Sequence, residues 1–130
     1  MGDLPATWRL PAISGSVPRL RRRLLKAISG RGFDEDAVGL AVTEALTNAV
    51  RHAYPGSQGP VTLSVKLSAD RLVVVVSDEG IGARSFTARS GPDRGRGMGL
   101  PLLYELCASV RVDPGSSGTT VTMAFAGTGR

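Results

Sequence analysis

Apolar side chains recur every three or four positions over Val38, Ala41, Val42, Ala45, Leu46, Ala49 and Ala53, so one face of a helix here is core. Asp34 is its N-cap candidate, and Phe33 and Val38 can close a hydrophobic staple around that cap. Glu35 and Asp36 complement the dipole of the first turn, and Tyr54-Pro55-Gly56 stops the helix. An earlier helix opens at Ser16-Val17-Pro18, with Ser16 as a cap candidate and a proline in the first turn. Val17, Leu20, Leu24 and Ile28 form its apolar stripe, Arg19, Arg22, Arg23 and Lys26 lie largely off it, and Gly30 or Gly32 ends it.

The period then drops to two. Val61, Leu63, Val65 and Leu67 alternate with Thr62, Ser64 and Lys66, which predicts a strand over 60–67 with one solvated face. Asp70-Arg71 makes a tight connection to a more buried strand, Leu72 to Val76, and a hairpin is the simplest join. Residues 6–13 read as a short first strand weakened by Pro11, residues 100–110 as a third helix, and 110–113 and 119–126 as two last strands around Pro114–Gly118. The order is strand, two helices, two strands, helix, two strands. It predicts one α+β domain over 1–130, a two-layer sandwich with helices on one face of a mixed, mainly antiparallel sheet.

Composition narrows the function classes. Hydrophobic residues at 42% and charged residues at 21% are a globular balance, which argues against disorder. The net charge of +5 raises nucleic acid as a partner, but with only six Phe, Trp and Tyr residues there is no aromatic interleaving of the kind single-strand platforms need. Much of the excess lies in Arg19–Lys26 and Arg84–Arg96, which suits an acidic protein or a phosphorylated ligand better. No apolar run approaches membrane-spanning length and no signal-peptide pattern opens the chain, so the expected address is the cytoplasm. The lone Cys107 falls in an apolar helical pattern and reads as a small buried hydrophobe.

Three groups of residues carry candidate chemistry. Glu44, Asn48 and His52 are spaced four apart and form one slowly turning stripe at the edge of the apolar face of the second helix. A carboxylate there suits a general base, and an amide oxygen suits Mg²⁺, which takes few protein oxygens besides phosphates and water. A solvated helix flank explains Glu44 and Asn48 equally, and His52 gains from the dipole without any function. Asp78-Glu79-Gly80-Ile81-Gly82 follows an apolar strand, so its glycines let backbone approach a ligand while Asp78 can accept from an exocyclic amine such as that of adenine, although by itself such a run is more often a plain turn. Gly95-Arg96-Gly97-Met98-Gly99-Leu100 leads straight into a helix, where unpaired N–H groups attract anions and Arg94 and Arg96 add charge. The run is neither a dinucleotide fingerprint nor a Gly-Lys-Ser/Thr loop, and protein-kinase motifs are missing, so any phosphate cradle is of another kind.

Taken together, these pieces resemble the Bergerat-type ATP-binding fold shared by gyrase, histidine kinases and MutL. Glu44 and Asn48 within TEALTNAVRHAY resemble the N box, Asp78–Gly82 the first glycine box, Gly95–Leu100 the second, and Gly118-Thr119-Thr120 the closing Gly-Thr element. Within that fold the chain is most similar to bacterial anti-sigma-factor serine kinases. The resemblance implies a base at Glu44, Mg²⁺ on Asn48, and adenine at Asp78 and Thr119. It further implies that Gly80, Gly82, Gly97 and Gly99 shape the pocket, beneath an Arg-rich ATP lid over 83–96. Members phosphorylate a serine on an anti-anti-sigma antagonist and sequester a sigma factor, often as homodimers, with the first helix supplying partner contacts. Arg19, Arg22 and Arg23 are the candidates for that surface here, and a solvated face explains them as well. Two other functions stay open within the fold: an ATP-dependent binding switch without transfer, and a histidine-kinase-like ATPase acting in trans.

Overall fold

The computed structural model describes residues 4–82 and 100–128. Five strands form one sheet in the order β1-β2-β3-β5-β4. They are β1 (Ala6–Pro11), β2 (Pro60–Ser68), β3 (Arg71–Asp78), β4 (Ser109–Gly115) and β5 (Gly118–Ala126). All four pairings are antiparallel. Among the described residues three helices accompany them: α1 (Ser16–Ile28), α2 (Glu35–His52) and α3 (Leu100–Leu106). No helix among the described residues is long and apolar enough to cross a membrane.

The core lies between the helices and one face of the sheet. Leu20, Leu24 and Ile28 of α1 and Val38, Val42 and Leu46 of α2 meet Leu63, Val74 and Met123 from the three central strands, all fully buried. Burial alternates along β2 and β3 as the period of two requires, with Val61, Leu63 and Val65 opposite Asp78, Val76 and Val74. Leu67 is the exception. Its turn in the alternation points inward, yet it is 43% exposed near the far end of β2.

Local chemistry explains most element ends. Asp34 caps α2 by accepting from the Ala37 N–H at 3.1 Å, and Gly30 and Gly32 follow α1 with positive φ. Ser16 does not cap α1. It is the helix's first residue and is buried, Gly15 holds the cap position, and no side-chain bond closes that end. Pro11 ends β1, and Ala12 turns away by donating to the Gly59 carbonyl at 2.9 Å. The third helix ends at Leu106 and not near 110, because the Ala108 N–H donates at 2.7 Å to Ala124 of β5 and draws Ser109 and Val110 into β4. Two-residue turns join β2 to β3 and β4 to β5, the latter tighter than the 114–118 segment suggests, since Gly115 already pairs with Gly118.

The last strand in the chain, β5, lies between β3 and β4. This insertion sets Thr119 directly opposite Asp78, the final residue of β3.

Candidate functional site

The end of β3, the start of β5 and the C-terminal turn of α2 converge on the Asp78–Gly82 turn. Asp78 Oδ1 accepts from the Gly80 N–H at 3.0 Å and from the Thr119 N–H at 3.3 Å. The first bond shapes the turn, and the second ties it to the neighbouring strand. A carboxylate held by two backbone amides has a defined position and orientation.

Gly80 passes against the end of α2. A Cβ there would lie 2.0 Å from the Ala53 carbonyl oxygen, and that same oxygen accepts from the Ile81 N–H at 2.9 Å. Only a residue without a side chain allows that approach. Gly82 meets the other wall: its φ is +56°, and a Cβ would stand 2.0 Å from the Gly115 carbonyl oxygen and 2.7 Å from that of Gly118. The turn is therefore wedged between α2 and the β4–β5 hairpin.

Ala53, the C-cap of α2, lies five residues beyond Asn48, roughly 7–8 Å along the helix axis. Glu44 and Asn48 are half-buried on α2, beside the buried Ala45 and Ala49. The polar stripe and the first glycine turn thus belong to one corner of the fold. His52 is the last residue of α2, and its side chain is half-buried. Leu100 opens α3. Arg94, Arg96, Gly97, Met98, Gly99 and the 83–96 segment lie outside the described residues.

In the sequence Tyr54 figures only as the last residue of TEALTNAVRHAY and as part of a helix stop, with no role of its own. Its hydroxyl accepts from the Glu79 N–H at 2.8 Å and donates to the Pro60 carbonyl. Burial pushes the phenol above its usual pKa, so the O–H stays a donor well past neutral pH. Glu79 also pairs with Arg9 of β1 at 3.2 Å, but both side chains are about 60% exposed and the pair contributes little. Cys107 is half-buried just past α3, and burial raises its thiol pKa to about 11, which makes it an inert packing residue at neutral pH.

Comparisons with known proteins bear on the fold and the family. The family model of the histidine kinase-like ATPase domain matches residues 10–125. The serine-protein kinase RsbW of Staphylococcus epidermidis is 34% identical, with 88% of this chain and 82% of that protein covered. The anti-sigma F factor of Clostridium acetobutylicum is 32% identical over 68% of this chain and 67% of its own. Among solved structures, the RsbU and RsbW domains of a Mycobacterium tuberculosis protein superpose with a TM-score of 0.72 at 21% identity. That match covers 95% of this chain, which spans about a third (32%) of the solved one, and it speaks to the fold alone.

Proposed function

The chain belongs to the histidine kinase-like ATPase domain family, and on that premise we propose that it is an ATP-dependent serine/threonine kinase acting as an anti-sigma factor. In this reading it phosphorylates a serine or threonine on an anti-anti-sigma antagonist and sequesters a sigma factor in the cytoplasm. The observation that carries the reading is the Asp78 carboxylate, locked by the Gly80 and Thr119 amides at the corner where α2 ends. The names of relatives such as serine-protein kinase RsbW and anti-sigma F factor support a serine acceptor and a sigma-factor partner.

The roles follow from position. Asp78 accepts from the adenine amine, Thr119 lies beside it on β5, and Gly80 and Gly82 let the turn that carries Asp78 seat against α2 and the β4–β5 hairpin. Arg94, Arg96, Gly97, Met98, Gly99 and the backbone of Leu100 take the phosphates. Among the described residues no three His, Cys, Asp or Glu side chains gather as a metal cage. Mg²⁺ fits such a site, because it binds through one or two protein oxygens together with phosphates and water, and Asn48 on α2 is the residue that would hold it. Bound there, it would neutralise charge on the phosphates.

Glu44 stands one helical turn before Asn48 and acts as the base. The acceptor hydroxyl loses its proton to the Glu44 carboxylate as its oxygen bonds to the γ-phosphorus. The bond from that phosphorus to the bridging oxygen breaks, and ADP leaves.

The partner surface is on α1. Pro18, Arg21, Arg22, Leu25, Lys26 and Ser29 line a groove, so Arg22 is the one among the three sequence candidates that lines it. Arg19 and Arg23 are exposed elsewhere on the helix. A groove lined by three cationic side chains together with Pro18 and Leu25 suits an acidic, amphipathic segment of a sigma factor or antagonist. A homodimer is part of the proposal.

The test is phosphate transfer from γ-labelled ATP to a purified anti-anti-sigma protein. The wild type labels the acceptor with phosphate stable to acid and labile to alkali, the behaviour of phosphoserine. Glu44→Gln binds ATP as before and transfers about 10²- to 10⁴-fold more slowly. Transfer at the wild-type rate by that variant would remove Glu44 as the base, and a wild type that never labels an acceptor would remove the kinase.

A further inference from the structure

We infer that Tyr54 is a positioning residue for the nucleotide site: its hydroxyl fixes the Asp78–Gly80 turn against the end of α2. The inference rests on the ATP-binding reading above. Three chain segments meet at this one oxygen. Tyr54 follows directly after the C-cap of α2, its oxygen accepts from Glu79 in the turn, and it donates to Pro60 at the start of β2. The ring is seated over Gly59, where an added Cβ would come within 2.2–2.8 Å of three ring atoms. The hydroxyl is thus aimed by packing and not by chance rotation.

The consequence is geometric. Glu79 lies between Asp78, whose carboxylate is held by two amides, and Gly80, whose backbone abuts Ala53. Ala53 holds the turn from one side through Ile81, and Tyr54 holds it from the other through Glu79. Adjacent residues of α2's end therefore set where the base-reading carboxylate stands relative to Asn48 and Glu44 five to ten positions earlier. The ion pair of Glu79 with Arg9 cannot substitute, because it is exposed and acts on the side chain rather than the backbone.

The test is a double-mutant cycle of Tyr54→Phe with Asp78→Asn, read by calorimetric titration of Mg²⁺-ATP and of Mg²⁺-ADP. Tyr54→Phe keeps the ring over Gly59 and removes one hydroxyl. It weakens ATP and ADP alike, by about three- to tenfold, as expected for one lost bond in the chain that orients the carboxylate. In the Asp78→Asn background the same change has little further effect, because the group being positioned is gone. Arg9→Ala leaves both affinities unchanged. If Tyr54→Phe does not fold, Gly59→Ala displaces the ring without deleting it and carries the same expected signature. Unchanged nucleotide affinity in a less stable Tyr54→Phe protein, or equal losses in both backgrounds, makes Tyr54 a purely structural residue and overturns the inference. A wild type that binds no nucleotide brings down the ATP reading itself, and this inference with it.

Discussion

Gly80→Ala tests the packing that builds the site. The added Cβ would start 2.0 Å from the Ala53 carbonyl oxygen and 2.6 Å from its carbon, both backbone atoms that cannot rotate aside. To reach ordinary contact the turn must retreat from α2 by roughly 1 Å or more. The Ile81 N–H to Ala53 carbonyl bond, now 2.9 Å, then lengthens past any useful distance. The Gly80 N–H to Asp78 bond, now 3.0 Å, is disturbed with it. Two such bonds contribute about 2–4 kcal/mol together when their loss leaves half-buried groups unpaired. A smaller unfolded-state entropy for alanine offsets about 0.5 kcal/mol of that. At about 3–5 °C per kcal/mol for a domain of this size, the midpoint of thermal unfolding falls by about 5–17 °C. Circular dichroism melts of Gly80→Ala and of a control, Gly15→Ala, check this shift. Gly15 has helical φ and ψ of −65° and −20°, and a Cβ added there would meet nothing within 4 Å, so its variant melts close to the wild type. A Gly80→Ala protein melting within about 2 °C of the wild type would refute the reasoning, because the wedge between turn and helix would then be slack.

Two further predictions concern parts of the fold away from the turn. Asp34→Ala removes the α2 cap bond to Ala37 and lowers stability by about 1 kcal/mol, a drop of about 3–5 °C in a melt, with ATP affinity unchanged. Cys107 has its pKa raised from 9.0 to about 11, so iodoacetamide at about pH 8 alkylates the folded protein about a hundredfold more slowly than the urea-unfolded chain. The same shift has a definite sign for stability: its contribution is fully present below pH 9.0 and is lost as pH rises toward about 11, which alkaline denaturation melts can follow.

The helices and strands were legible because each buries one face with a clear period. Val38 through Ala53 announces α2, and Val61, Leu63 and Val65 announce β2. The turn was legible in part, because glycines next to a carboxylate at a strand end mark a tight backbone passage, and Gly80 and Gly82 stand where a Cβ would strike backbone. What stayed hidden depends on contacts distant in sequence. No local pattern says that β5 enters between β3 and β4, although that insertion is what puts Thr119 opposite Asp78. The end of α3 was overrun because Cys107, Val110 and their neighbours continue an apolar pattern, and only the bond from Ala108 to Ala124 gives Ser109 and Val110 to the sheet. Ser16 carries the right side chain for a cap but is taken into the helix and buried instead. Tyr54 looked like punctuation before Pro55-Gly56, since its partners Glu79 and Pro60 are set by the fold.

The central claim, that this corner of the molecule is an ATP site, is tested most directly by calorimetric titration of Mg²⁺-ATP into the wild type, Asn48→Ala and Asp78→Ala. The expected result is saturable binding to one site, weakened in both variants, with thermal stabilisation of the wild type of about 2.7 kcal/mol at a hundredfold excess over Kd. No heat and no stabilisation at millimolar ATP, or equal binding by all three proteins, would contradict it.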